Sequence, residues 1–345
     1  MLLINHVKKL LVYITLVSLA ASCGENSAQS INPAIDSTEK KNLIAIAEDK
    51  PALDTAEYNR LLHYISRRDS SGRWPVKTAY PSGATILPFK RIVAYYGNLY
   101  SKQMGALGEY PKNEMLKKLK AEVDKWTKAD SVVPAIPALH YIAVTAQGQP
   151  GADHGYRLRM PFSQIDTIIS WARSIGALTF IDIQIGASTI EKELPRFEKY
   201  LAMPDVHLGI DPEFSMKTSK APGTVIGTMD ASDINYTTNY LAGIVKKYNI
   251  PPKIFVVHRF TQPMVTNYKQ IKLHPEVQFV MDMDGWGIQA RKINTYKSFI
   301  YPEPVEFTGF RIFYKNDTKR VNATREMQPE DVLKLTPQPV YIQYQ

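Results

Sequence analysis

Residues 206–214 read V-H-L-G-I-D-P-E-F, a short apolar run that closes on two carboxylates two positions apart, Asp211 and Glu213. In a strand, residues i and i+2 point to one face, so both acids are expected to project from the strand's C-terminal end. Polar groups gathered at that end of a buried strand are how a barrel presents a site.

On both sides of this stretch, short apolar or β-branched runs recur at 92–97, 135–144, 178–186, 224–230, 253–260, 277–285 and 307–314, making eight in all. Helix-like segments fall between most of them, at 113–128, 163–175, 189–203, 232–248, 266–271 (the weakest) and 288–299. Gly176 and Pro251 supply stop signals after two of these. Alternating β and α units imply a parallel sheet, and eight of them close into a (β/α)8 barrel of the TIM type. Residues 215–223 are too few for a helix, so the link between the fourth and fifth runs is expected to be helix-poor. An open doubly wound sheet is the alternative, but Asn98-Leu99-Tyr100 follows the first run where a Gly-rich phosphate loop would stand. The tail, 337–345, is expected to lie extended on the outside.

Ahead of the barrel, residues 56–68 carry apolar positions near helical spacing and suit a helix capping one end of the core. Residues 71–88, rich in Gly, Ser and Pro, read as a loop. At the N-terminus, Lys8 and Lys9 precede the apolar run 10–19 and a small-residue stretch, the order of a secretory signal. Leu19-Ala20-Ala21-Ser22-Cys23 resembles a bacterial lipoprotein box, which implies that Cys23 becomes a lipidated N-terminus carrying palmitate-type acyl chains. The expected organisation is a signal over 1–22, a polar tether over 23–42, a helical and loop extension over 43–90, and the barrel over 91–345. The expected location is the bacterial cell envelope, with the outer membrane or cell surface as the anchor.

Cys23 is the only cysteine, so no intrachain disulfide can form and the fold must rest on its core. About three hundred residues remain after signal and tether, enough for one large α/β barrel. The formal charge of +9 falls to +7 once Lys8 and Lys9 leave, and it is spread over helix faces such as 112–128. That dispersal argues against a nucleic-acid footprint and mildly favours acidic partners. A monomer is expected.

Candidate site residues are those near the C-terminal ends of the runs. These are Tyr95 and Tyr96 on the first, His140 on the second, Asp182 and Gln184 on the third, Asp211 and Glu213 on the fourth, and Asp230 on the fifth. His258 and Arg259 end the sixth, Asp282 and Asp284 the seventh with Trp286 between two glycines, and the eighth offers Arg311 and Tyr314. Several have plain structural readings: Asp230 can cap the next helix, the histidines can be interior hydrogen-bonders, and Arg259 and Arg311 can neutralise buried carboxylates. A crowd of carboxylates is different, because neighbouring acids repel and shift one another's pKa, which a protein tolerates mainly where the shift is used.

Glycosidic cleavage needs a protonated acid for the leaving oxygen and an ionised partner. Glu213 is the choice for the acid, with Asp284 as the partner and Asp182 and Asp211 as second candidates. Tyr95, Tyr96 and Trp286 would offer faces to sugar rings, and His140, Gln184, His258 and Arg259 contacts to hydroxyls. No cofactor is expected.

Tyr95-Tyr96-Gly97 closing the first run and Asp211-Pro212-Glu213 at the end of the fourth resemble the chitinase-like glycoside hydrolase barrels. That resemblance implies that Glu213 is the acid and that Asp211 orients an acetamido group. His207 and Gly209 stand where the fuller pattern carries further acids. Residues 91–345 are also similar to secreted bacterial barrel proteins with motifs such as Asp182 in L-x-x-I-D, Asp211-Pro212-Glu213, Val257-His258-x-Phe260 and Asp284-Gly285-x-Gly287. Two other classes stay open. A divalent metal on Asp182, Asp211, Glu213, His258 and Asp284 could hydrolyse a phosphodiester or amide. Alternatively, the barrel could be a catalytically silent surface glycan binder. No G-x-S-x-G is present for serine chemistry.

Overall fold

Strands that are apolar on both faces must be covered on both, and these are buried almost end to end. The computed structural model describes residues 52–319 and 325–345. The signal segment, Cys23 and the tether lie outside the described residues. The strands are β1 (Arg91–Gly97), β2 (Ala135–Ala146), β3 (Leu178–Ile183), β4 (Val206–Ile210), β5 (Lys253–Arg259), β6 (Val277–Met283), β7 (Phe307–Ile312) and β8 (Tyr341–Tyr344). Each pairs in parallel with its neighbours, and β1 pairs with both β2 and β8. The sheet therefore closes on itself, and the fold is the (β/α)8 barrel.

Helix α1 (Thr55–Ile65) precedes β1, and α2 (Lys112–Ala129), α3 (Phe162–Arg173), α4 (Ala231–Tyr248) and α5 (Gln289–Thr295) lie between strands. Three short helical turns spanning 190–201 bridge β3 and β4. The strand–helix layer is filled by outward-facing residues such as Val93, Leu139, Ile181, Leu208, Val257 and Phe279.

Two expectations about the chain path need correction. The run at 224–230 is not a barrel strand; only Met229–Asp230 is extended, and it pairs with Val265–Thr266 outside the barrel. Its β-branched Val225 and Ile226 are exposed, so composition rather than burial suggested a strand. Residues 215–223 do lack a helix, but the whole link from β4 to β5 contains the long α4. The connection without an α-helix is the one from β5 to β6, where the expected 266–271 helix is reduced to the turn Tyr268–Gln270. The tail supplies the missing eighth strand. Its Tyr341, Gln343 and Gln345 alternate with Ile342 and Tyr344, so one face can meet the helices while the other enters the barrel. Lying between β1 and β7, it satisfies two edges that would otherwise be open.

The interior changes character along the axis. Its lower part is apolar, with Ile92, Ala94, Ala138, Phe180, Ile254, Val256 and Val280 packed together. Tyr58, Leu61 and Ile65 of α1 join that cluster with Leu87, so α1 stoppers the end opposite the strand C-termini. Asp54 starts this helix by accepting from the Glu57 amide at 2.9 Å. Burying three such side chains contributes roughly 1.5–3 kcal/mol each. The upper interior is polar.

Closure by the last residues has a consequence for truncation. A chain ending at Pro339, without β8, is expected to lose its cooperative thermal transition by circular dichroism; a sharp transition near that of the full chain would show that closure is dispensable.

Candidate active site

Asp182 sits in the barrel with no exposure, and Ile181 and Ile183 on either side face the helices. A carboxylate there needs partners. Tyr96 donates its hydroxyl to one oxygen at 3.0 Å, and His140 Nε2 lies 3.2 Å from the other, with His258 Nε2 at 3.6 Å. Burial alone would push the Asp182 carboxyl up, but the two imidazoles outweigh it and hold it below the usual carboxylate range. Burial keeps His140 neutral. Because the ionised Asp182 can only accept, the His140 proton belongs on Nε2, and Nδ1 accepts from the Tyr341 hydroxyl at 2.5 Å. Gln343 donates to Tyr341 in turn at 3.1 Å.

Glycines make room for these groups. Asp182 is in register with Gly209 on β4, where a Cβ would stand 2.3 Å from His140 Nε2 and 2.6 Å from Asp182 Oδ1. Asp282 is in register with Gly309 on β7, where a Cβ would meet its Oδ1 at 2.4 Å. His258 is in register with Asp282, and its Nδ1 lies 3.0 Å from that carboxylate. Burial opposes the charge on His258, yet Asp182 on one side and Asp282 on the other raise its pKa well above the usual histidine range. A buried imidazolium thus stands beneath the mouth.

Above it lie Asp284, Asp211 and Glu213, each with a carboxylate oxygen within 4.8 Å of the others. The acids of 206–214 come together as expected, but through a turn rather than a strand. β4 ends at Ile210, and Asp211 caps the single turn Pro212–Phe214, accepting from the Glu213 amide at 3.1 Å. The misread segment braces this turn, since the Gly227 amide donates to the Glu213 carbonyl at 2.6 Å and the Thr228 amide to that of Ser215 at 3.1 Å. A Cβ on Gly227 would stand 2.6 Å from three carbonyl oxygens of that turn.

Electrostatics separates the three acids. Burial, then the neighbouring Asp284, pushes Glu213 up to about 7. Burial drives Asp211 well above the carboxylate range, and Asp284, Glu213 and Asp182 add to the effect against His258. Asp284 is raised chiefly by burial, with Arg311 and His258 pulling the other way. Arg311 Nη1 bonds Asp284 Oδ1 at 2.6 Å, and the guanidinium rests 4.1 Å from the centre of the Tyr96 ring. His258 Nδ1 is 3.9 Å from the other oxygen of Asp284. Asp284 alone of the three is thereby bracketed by two cations.

These groups line a cleft of about 310 Å³ at the C-terminal ends of the strands. Of the expected residues, Tyr96, Gln184, Asp211, Glu213, Asp284, Trp286 and Arg311 face it. Gln184 Nε2 donates to the Tyr96 hydroxyl at 3.1 Å, and Trp286 stands at the rim, 47 % exposed. Asp182, His140, His258 and Asp282 are fully buried under the floor, so they hold the site from below instead of touching a ligand.

Four others lie elsewhere. Tyr95 points the opposite way from Tyr96 and bonds the Tyr314 hydroxyl at 3.0 Å behind the barrel wall, because successive strand residues alternate. Arg259 likewise points outward, bonding the carbonyls of Thr261, Gln262 and Phe299 and pairing with Glu303 at 2.6 Å. Asp230 completes a capping box at the start of α4 and accepts from Thr266 and Asn267. The cleft also uses Thr145, Phe214, Phe260, Phe313 and Gln345, which sequence reasoning missed. Only Gln345 had a usable signal, the period-2 alternation of the tail.

As for metal ligands, His140, Asp182 and His258 offer one possible group, but both His140 ring nitrogens are engaged and the neighbouring carboxylates favour the charged form of His258. Asp211, Glu213 and Asp284 offer oxygens, with the Arg311 cation fixed on one of them.

No family model matches the chain, and no curated protein matches it by sequence. Among solved structures, it is similar to the Bacillus subtilis mannanase man26, with TM-score 0.40 and 13 % identity over 86 % of each chain. It is also similar to the Bacillus subtilis mannanase BCman, with TM-score 0.38 and 12 % identity over 86 % of this chain and 87 % of that one.

Room beside β4 is the tightest constraint in the site. Gly209→Ala is expected to cost about 3 kcal/mol in urea denaturation by separating His140 from Asp182; a loss within the range of an ordinary surface substitution would contradict this account.

Proposed function

We propose that the protein is a glycoside hydrolase held at the bacterial cell envelope by lipid on Cys23, and that Glu213 is its general acid. The observation that carries this reading is the trio of carboxyls within 4.8 Å at the barrel mouth, with Glu213 pushed up to about 7 while Asp284 is bracketed by Arg311 and His258. Glu213 is thus largely protonated just below neutral pH and can give its proton to the glycosidic oxygen. Asp284, bonded to Arg311 and 3.9 Å from His258, takes the ionised role and faces the developing charge on the sugar ring. Carboxylate oxygens within 4.8 Å of one another suit a double displacement: Asp284 bonds the anomeric carbon as the leaving sugar departs with the Glu213 proton, and water, giving a proton to the Glu213 carboxylate, then attacks that carbon and frees Asp284. Asp211, protonated and fixed by the Glu213 amide, orients a substrate substituent. Tyr96 and Trp286 supply apolar faces for sugar rings.

The resemblance to chitinase-like barrels bears on Glu213 and Asp211 alone. Gly209 carries no acid, and the carboxylate beside that position comes from Asp182 on β3.

Glycans incubated with the protein lacking residues 1–22 should release products whose anomeric configuration is retained by proton NMR. Glu213→Gln should lower kcat by at least about a thousandfold with little change in KM. Turnover that survives Glu213→Gln, or that a chelator abolishes, would move the chemistry to another group or to a metal.

The pH dependence follows from the same shift. Activity needs Glu213 protonated, so kcat/KM should fall about tenfold per pH unit above about 7. Its folded pKa lies above its ordinary 4.5, so ionising it costs stability as pH rises through that interval, and the full cost is present above about 7. Glu213→Gln should therefore raise Tm by a few degrees at pH 8 and leave it unchanged at pH 4. An equal effect at both pH values would refute the assigned shift.

A further inference from the structure

A second hollow, of about 280 Å³, opens beside the cleft. The two share Gln103, Phe313 and Gln345 among their lining residues, so the hollows adjoin. Their polar linings differ. The cleft gathers Asp211, Glu213 and Asp284 around Arg311, whereas the annexe is lined, among the described residues, by Lys102, Lys315 and Lys319 with Glu109 as the one acid. Glu109 is taken by Lys315 at 2.5 Å, and Lys319 reaches the Asn316 side-chain oxygen at 2.8 Å. Lys102 and Lys319 are exposed, so a cationic excess remains in the annexe.

Neutral sugar hydroxyls gain little from such a set, since amide and carboxylate side chains meet them equally well. The partner that distinguishes an ammonium is an anion. An anionic group among the three acids would have to compete with the Asp284 carboxylate for Arg311. The adjoining annexe offers such a group cations instead.

We infer that the substrate is an anionic glycan, bearing a carboxylate or sulfate ester on a sugar adjacent to the cleaved linkage, and that Lys102 and Lys319 in the annexe bind this group. The inference rests on the hydrolase reading and names the substrate class of the same site.

Binding separates the two. Glu213→Gln in the chain lacking residues 1–22 is titrated calorimetrically with oligogalacturonate, a heparin oligosaccharide and a neutral mannooligosaccharide of equal length. At least one anionic probe should bind more tightly than the neutral one, with an affinity that falls as salt rises from 0.05 to 0.5 M, roughly the range over which screening becomes severe. Adding Lys102→Ala and Lys319→Ala should weaken that probe about fivefold and leave the neutral one unchanged. Preference for oligogalacturonate or heparin tells whether the group is a carboxylate or a sulfate. Equal binding of all three, binding by none, or anionic binding indifferent to the lysines overturns the inference. Hydrolysis of a neutral glycan by the wild type would in that event leave Glu213's role standing, whereas lysine-dependent anionic binding without turnover would sink the hydrolase reading alone.

Discussion

The constraint on which the rest depends is the burial of an ionised Asp182 inside a closed sheet. Water cannot reach it, so its partners must come from other strands: Tyr96 from β1, His140 from β2 and His258 from β5. Those side chains need space that a barrel filled with ordinary residues would not leave, and Gly209 and Gly309 provide it. Phe180 stacks on His140 with ring centres 5.2 Å apart, closing the polar layer from below. Each member is held by strand register rather than by loop conformation.

The mouth obeys the opposite logic. Under the floor, positive and negative groups alternate, and Asp182, His258 and Asp282 compensate one another. Above it, three carboxyls crowd around one guanidinium, and the imbalance appears as raised pKa values for Asp211, Glu213 and Asp284. Such crowding costs folding stability, and the balanced floor and the apolar lower interior offset it. The same crowding lifts Glu213 to about 7, while Arg311 and His258 oppose the rise of Asp284. The brace between residues 227–228 and the Pro212–Phe214 turn fixes the acid's backbone from a loop outside the barrel, so positioning here is shared between sheet and loop.

Period-2 patterns within single strands made much of this legible. Asp182 with Gln184, Asp211 with Glu213, and Asp282 with Asp284 were each readable as pairs, and seven of the eight barrel strands were readable as apolar runs. Alternation also held the key to two errors. Tyr95 and Tyr96 are consecutive and cannot both face the cleft, and the tail's Tyr341, Gln343 and Gln345 had the two-faced pattern of a strand. Residues 224–230 misled because β-branched composition mimics a strand whether or not anything covers it.

By itself, the sequence determined the barrel class and the set of carboxylates at the strand ends, because local periodicity and residue type carry that information along the chain. Tertiary structure alone decided that the last residues close the sheet and that His140, His258, Asp182 and Asp282 lie under the floor while Asp284, Asp211 and Glu213 lie above it. It also decided that Arg311 is spent on Asp284 and Arg259 on carbonyls outside the barrel. These are matters of register and depth, fixed when distant strands pair. The pKa order of the acids follows from burial and from charges that come close only after closure.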